Sequence, residues 1–264
     1  MALAKNSDEI LALEKFEKIV KDLKVDRGTM MRFLRARNLD QANAEAMLRA
    51  YVHWKSNNIY EPALKGWKPE KDFMLKFEAF RCGADTEGRP VFYIHFDTWM
   101  PSRPLFDDFA PFDLVLFAYK TFIDLYEDIA KTEHQQVVAI LDNQDIGFSK
   151  IFHEVQHWTG IQTLIDIWQL YEANFPETLH KAFFINTARP FMLGFNLMKP
   201  FIAKHTLAKI SIYGTDEDKW KPDLHNFLPN DSIPEKFGGC ATLVHVYDIV
   251  YDGIMAKLKG EKIH

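Results

Sequence analysis

Between two short β-like runs, Phe183–Asn186 and Ile210–Tyr213, lies a segment that is apolar around almost its whole circumference when wound as a helix. Phe191, Met192, Leu193, Phe195, Leu197, Met198, Phe201 and Ile202 leave only Asn196 and Lys199 as strongly polar positions. A helix of this kind must be buried, or must meet something other than water. At about a dozen residues it is too short to cross a bilayer. Two readings follow. It is a buried core helix, or it is a movable lid that closes an apolar cavity and docks on a membrane.

The surroundings bear on that choice. The whole chain is mildly acidic, with a formal net charge of −5, which argues against a general nucleic-acid binder. Between Thr178 and Lys221, however, seven cations (Lys181, Arg189, Lys199, Lys204, Lys209, Lys219, Lys221) face three anions (Asp216, Glu217, Asp218). An apolar helix in a basic neighbourhood on an acidic protein suggests contact with anionic lipid. The 22 phenylalanines suit a greasy cavity, and a large Phe-rich core accounts for them equally well. Cys82 and Cys240 make no disulfide framework, so a reducing compartment is the default. The N-terminus MALAKNSDEI has no signal-peptide core, Ala2 stands where myristoylation needs glycine, and EKIH is no prenylation box. No apolar run reaches the length of a membrane span. The expectation is a soluble cytoplasmic protein with transient, peripheral membrane contact.

Along the chain, residues 7–24 predict an amphipathic helix through Ile10, Leu13, Phe16, Ile19, Val20 and Leu23. Asp26 predicts the cap of a second helix, and Asn38-Leu-Asp40 a stop and a new cap before a third, which ends near Lys55–Asn58. Proline and glycine between Glu61 and Pro69 mark a linker, giving a helical lobe over 1–70 and a second lobe over 71–264. Strands and long helices then alternate. Strands are expected at Val91–Phe96, Val137–Leu141, Ala182–Asn186 and Lys209–Tyr213. Helices are expected at Phe112–Ile129, at about Lys150–Asn174 behind a Ser149 cap, and from about Thr242 to Leu258. This is an α/β pattern with a largely parallel sheet and helical crossovers.

His153-Glu-Val-Gln-His157 is a literal H-E-x-x-H on an expected helix, where two histidines one turn apart share a face for zinc and Glu154 could act on the bound water. Thr163 stands where the longer form of the motif has its third histidine, although Glu177 is a plausible third ligand. The opposite face carries Ile151, Val155, Trp158, Ile165 and Trp168, so both histidines also read as the polar side of an amphipathic helix. A zinc peptidase is therefore the less favoured reading, and no metal is expected. Asp97, Asp142 and Asp145 follow strands, where such residues more often cap turns than catalyse.

Four separated stretches carry a resemblance. Met31-Arg-Phe-Leu-Arg-Ala-Arg-Asn-Leu-Asp40 and the turn Asp85-Thr-Glu-Gly-Arg-Pro-Val91 come first. The run from Asn174-Phe-Pro-Glu177 through Ile185-Asn186, Lys199-Pro-Phe201, Lys209-Ile210 and Gly214 follows, and Leu228-Pro229 with Ile233-Pro-Glu-Lys-Phe-Gly-Gly239 closes the set. Together, in order over roughly residues 26–240, they resemble the CRAL-TRIO lipid-binding family. The resemblance implies a helical N-terminal bundle followed by a lobe whose mostly parallel mixed sheet floors a hydrophobic cavity. It implies a gate helix from Phe191 to about Thr206, with Phe191, Met192, Phe195, Leu197, Met198, Phe201, Ile202 and Lys204 as gate and membrane contacts. It further implies headgroup contacts from Glu177, Thr206 and Lys209, with Arg37 at the family's basic position. The family's phosphatidylinositol-binding branch often has arginine where this chain has Thr178, and lysine where it has Asn38. The implied protein is a monomeric, non-enzymatic carrier of one lipid, without a cofactor. Phosphatidylinositol or another phospholipid is the first ligand, and a tocopherol-, retinoid- or carotenoid-like isoprenoid the second. A lipid-sensing adaptor that binds without transferring is the alternative of a different class.

Overall fold

A computed structural model of the chain describes residues 6–65, 67, 76–99, 110–130, 132–147, 158–246 and 248. Three helices open it: α1 (Ser7–Ile19), α2 (Arg27–Arg35) and α3 (Gln41–Asn57). Asn6, Asp26 and Asp40 each sit in extended backbone and accept a hydrogen bond from the residue three positions on, satisfying a backbone donor that the first helical turn leaves open. Between α2 and α3 the chain reverses through Asn38 and Leu39, both with left-handed backbone. Leu13, Phe16, Val20, Met31, Phe33, Leu34 and Leu48 form the core of this bundle. A bidentate Arg35–Glu9 pair at 2.8 Å ties α2 to α1. The short helix α4 (Tyr60–Leu64) leads onward.

The second lobe is a six-stranded sheet of order β5-β4-β3-β2-β1-β6, made of β1 (Ala79–Ala84), β2 (Pro90–His95), β3 (Val137–Asp142), β4 (Leu179–Ile185), β5 (Ile210–Ile212) and β6 (Val244–His245). Strands β2 to β5 pair in parallel, while β1 runs antiparallel to both of its neighbours. Residues 241–243 are not helical, and Val244 and His245 pair with Arg81 and Phe80. The helix expected from Thr242 therefore does not start there: the free edge of β1 takes that backbone as a strand. The expected Ser149 cap and the first third of the next helix lie outside the described residues, which show α6 (Trp158–Asn174) after α5 (Pro111–Ile129).

Side-chain alternation along the central strands gives the sheet two different faces. Val91, Tyr93, Val138, Ile140, Phe183 and Ile185 point to one side. There they pack on Trp220 and Leu224 of a helix over Glu217–Phe227 and on Leu228, Ile233 and Phe237 of the closing turn. That turn requires glycine: Gly238 has φ 91°, and a Cβ on Gly239 would stand 2.1 Å from the Ile233 carbonyl oxygen. Val137, Ala139, Leu141, Ala182 and Phe184 point to the other side, toward α5 and α6. That second side is not filled.

The apolar segment of the sequence splits into three pieces. A helix α7 spans Arg189–Met198, a single tight turn follows at Lys199–Phe201, and a short helix α8 covers Lys204–Leu207. Pro200 has no N–H to continue the α-helical ladder, which accounts for the break. The one gate helix expected from Phe191 to Thr206 is thus a helix, a tight turn and a short second helix.

Candidate functional site

On the unfilled face lies a cavity of about 190 Å³ whose lining carries no charged side chain. Val137, Ala139 and Leu141 of β3, Leu179, Ala182 and Phe184 of β4 and Ile210 of β5 floor it. Phe122, Leu125, Tyr126 and Ile129 of α5 and Trp168 and Tyr171 of α6 wall it. Helix α7, where the gate was expected, packs on this side of the sheet. Phe191, only 4% exposed, meets the rings of Phe96, Phe184 and Phe195 at centroid distances of 5.7 to 6.3 Å.

The segment expected as the gate has two unlike sides. Of the residues expected as gate and membrane contacts, Phe191 and Ile202 are buried against the protein. Met192, Phe195 and Met198 are half-buried. Leu197, Phe201 and Lys204 are exposed, as is Leu193, the most exposed apolar residue of the segment at 56%. Leu193 and Leu197 are one turn apart, which puts them on one outward face, and Arg189, Lys199 and Lys204 stand exposed nearby.

Next to the cavity the structure gathers Glu177, His205, Thr206 and Lys209. Lys209 Nζ lies 2.8 Å from the Glu177 carboxylate and His205 Nε2 lies 3.4 Å from its other oxygen. Thr206 is buried one position from His205, and its carbonyl accepts from the Lys209 N–H. The cavity reaches this cluster from both strands, because Thr178 and Ile210, the sequence neighbours of Glu177 and Lys209, are lining residues. Glu177 has φ 62°, a left-handed backbone that a glutamate seldom adopts, and its carbonyl accepts from the Gln136 amide. Strain of this kind persists where the surroundings over-determine it, and such places are often functional. His205 is the residue that sequence reasoning missed. Its spacing from Lys209 (one helical turn) was the available signal.

Thr178, where a cation was expected, is buried and serves the cavity wall. Its hydroxyl donates to the Phe175 carbonyl at 2.8 Å and meets the Tyr171 hydroxyl at 2.9 Å. Arginine at this position would bury a charge beside aromatic rings. Burial likewise pushes the Tyr171 phenol well above its ordinary value.

Arg37 stands elsewhere. It donates to the Ala36 carbonyl and lines an open cleft of about 780 Å³ between α3, α6 and the gate extension Pro200–Ala203, of which Glu177 is not a part. The structure therefore groups three of the four expected headgroup residues and leaves Arg37 in a different recess. Glu172, in the same cleft, accepts from the Ala203 N–H at 3.2 Å and so ties the gate extension to α6.

The strand-end carboxylates have structural partners. Asp142 is fully buried and takes Lys236 at 2.6 Å and the Asn186 amide at 2.8 Å. Asp145 and Glu78 each lie 2.9 Å from a nitrogen of the His95 ring. His153–His157 falls outside the described residues. Among the described residues no group of three or more His, Cys, Asp or Glu side chains is placed to hold a metal, and no helix is long and apolar enough to cross a membrane.

Comparison with known proteins bears on the family and the fold. A family model for the CRAL/TRIO domain matches residues 76–239, and one for the CRAL/TRIO N-terminal domain matches residues 2–50. The Drosophila melanogaster protein real-time is 25% identical over 224 residues, covering 82% of this chain and 33% of that protein. The SEC14 cytosolic factor of Eremothecium gossypii is 26% identical over 245 residues, covering 88% of this chain and 77% of the factor. The chain spans about a third of the length of the Drosophila and Caenorhabditis elegans relatives it matches. The crystal structure of Sfh5 superposes with a TM-score of 0.62 at 12% identity, over 98% of this chain and 99% of that one, which is a likeness of fold.

Proposed function

Starting from a chain that belongs to the CRAL/TRIO family, we propose that it is a non-enzymatic carrier of one lipid, with phosphatidylinositol or another phospholipid as the first ligand. The observation that supports this most is the contiguity of two unlike surfaces. An uncharged apolar cavity abuts a half-buried Glu177–Lys209 pair, with His205 on the same carboxylate. Acyl chains gain about 0.8 kcal/mol per buried CH₂ in such a cavity. A phosphate arriving at its edge can take over the Lys209 ammonium, while Glu177 accepts from headgroup hydroxyls. Until then each charge neutralises the other, so the empty site is stable and a headgroup must offer more than the resident pair.

At about 190 Å³ the cavity is smaller than the ~300–1,000 Å³ pockets that enclose drug-sized ligands. A whole lipid therefore needs the gate to move outward, and Leu193, Leu197 and Phe201, with three exposed cations around them, suit a membrane surface as the place for that movement. An isoprenoid ligand is the second reading, favoured by the uncharged lining and by Thr178 in place of a cation.

Uptake from liposomes tests the proposal. Glu177→Ala and Lys209→Ala should each lose phosphatidylinositol uptake while keeping uptake of phosphatidylcholine. Equal loss of both lipids argues against headgroup recognition. A wild-type protein that extracts and transfers no lipid ends the carrier reading.

A further inference from the structure

One carboxylate with two basic partners is more than a resting ion pair needs. Resting on the carrier reading above, we infer that His205 is the second, substitute partner of Glu177. When the phosphodiester of a lipid headgroup takes Lys209, the His205 ring takes up a proton and holds the carboxylate that Lys209 has left. Loading of an anionic headgroup is thereby coupled to proton uptake at one named side chain.

The distances set the order of the partners. Lys209 Nζ lies 2.8 Å from one oxygen of Glu177, within hydrogen-bond range, while His205 Nε2 stands 3.4 Å from the other, beyond it. The lysine therefore satisfies the carboxylate in the empty protein, and the ring stands by. Glu177 cannot simply be released to water. Its side chain is only 11% exposed, and its left-handed backbone is fastened at the carbonyl by the Gln136 amide. A headgroup that takes Lys209 thus leaves a mostly buried carboxylate beside a second anion, which is costly without another cation. A neutral imidazole donates a hydrogen bond but offsets no charge, whereas an imidazolium does both. The ring is 30% exposed, so the proton arrives from solvent without any opening of the fold.

The charged and titratable groups on the surrounding elements agree with that destination. Glu177 faces the ring from the turn before β4. Glu172 of α6 accepts from the Ala203 N–H, which puts a further negative charge at the start of α8. Lys209 opposes charge on the ring, and a bound phosphate removes that opposition. Lys204, on α8 itself, is exposed, and Arg37 donates to the Ala36 carbonyl in the neighbouring cleft. Tyr171 of α6 keeps its own proton, because burial raises its phenol. Glu177 could take the proton in place of the ring, but an ordinary glutamate titrates about two pH units further from neutrality than a histidine. A phosphodiester carries one charge across the neutral range, so the ligand supplies no proton. Affinity for the headgroup accordingly rises as pH falls from about 8 toward 6, and levels off where the ring is charged with or without ligand.

Calorimetry counts the proton. Dioctanoyl phosphatidylinositol is titrated into the whole chain at about pH 7.5 in Hepes and in Tris, whose protonation heats differ, so that the difference in binding heat gives the protons taken up. Wild type should take up more than about half a proton per lipid, and His205→Gln, which keeps a hydrogen-bond donor and cannot be charged, less than about 0.2. The wild-type Kd should also tighten about tenfold between pH ~8 and pH ~6, with His205→Gln changing less than about twofold. Wild-type uptake below about 0.2 proton overturns the inference and leaves the carrier reading intact. Equal uptake in His205→Gln does the same, since the proton then goes elsewhere. Glycerophosphoinositol, the same headgroup without acyl chains, separates the two sources of the phosphodiester. Binding as tight as that of the lipid overturns the lipid as the source. A wild-type protein that binds neither probe overturns both the inference and the carrier reading.

Discussion

Asp85 illustrates how a single residue can set a turn. Its carboxylate accepts from the N–H groups of Glu87 and Arg89 and from the Arg89 guanidinium, with both side chains of the ion pair only 4% exposed. Burial pushes the carboxyl up, but these hydrogen bonds and the adjacent charge outweigh it and hold it below its ordinary value. A carboxyl depressed in the folded state contributes stability above its unfolded value, near pH 4, and that stability is lost as pH falls through the lower folded value. Asp85→Asn should therefore melt earlier than wild type at about pH 7 and close much of the gap by about pH 3. A gap that stays constant across a series of melts over that range would assign the loss to shape and not to charge. The turn was readable in sequence because every group it uses lies within five residues. The Glu177 cluster was readable only in part. Its lysine and threonine came from resemblance, while His205 joins Glu177 across 27 intervening positions and was signalled only by its four-residue spacing from Lys209. Thr178 was legible as a departure and illegible as a cause, since only the folded wall shows that a cation has no room to be hydrated there.

At the level of elements, the gate carries the sharpest expectation. Its inner ring, Phe191, is a packing residue, and Phe191→Ala should cost about 3 kcal/mol and open the cavity to solvent. Its outer pair has little to lose in water. Leu193→Ser with Leu197→Ser should leave the melting temperature nearly unchanged and reduce binding to anionic vesicles in a sedimentation assay. Undiminished vesicle binding in that double variant would show that membrane contact, if any, lies elsewhere. The capped helices of the first lobe and the buried strand Val137–Leu141 were plain from periodicity and cap residues. Strand β1 was not, because Ala79–Ala84 has no β-branched residue and includes Gly83 at φ 109°. It is a strand because its surroundings make it one. β2 pairs along it, and the Ser232 hydroxyl both donates to the Ala84 carbonyl and accepts from the Ala84 N–H. A two-residue strand such as β6 carries too little pattern to be seen at all, and Pro200 was seen without its effect on the gate being drawn.

On the scale of the whole molecule, the two lobes are joined at a wall of the cavity. Arg32 of α2 is buried and reaches across to the Tyr126 hydroxyl and the Gln135 amide oxygen, with its guanidinium 4.4 Å above the Tyr126 ring. Since Tyr126 lines the cavity, an occupant braces a residue on which the first lobe also leans. A ligand that binds only the folded state, at about a hundredfold its Kd, adds about 2.7 kcal/mol of stability. Protein loaded with lipid should accordingly melt several degrees above delipidated protein, in one transition. Unchanged melting on loading would mean that the cavity does not take the lipid. The parallel pairing of β3, β4 and β5 has one further consequence. It fixes the floor of the cavity and the charged edge at Glu177 and Lys209 in a single hydrogen-bonded frame, whereas the cover is a helix held by a few rings. In the carrier proposed above, loosening the cover would change the heights of barriers and raise loading and unloading rates together. Altering the frame changes the depths of wells. For such a carrier, speed of exchange and choice of cargo would be separately adjustable, so evolution, or a designer, could retune one and leave the other where it was.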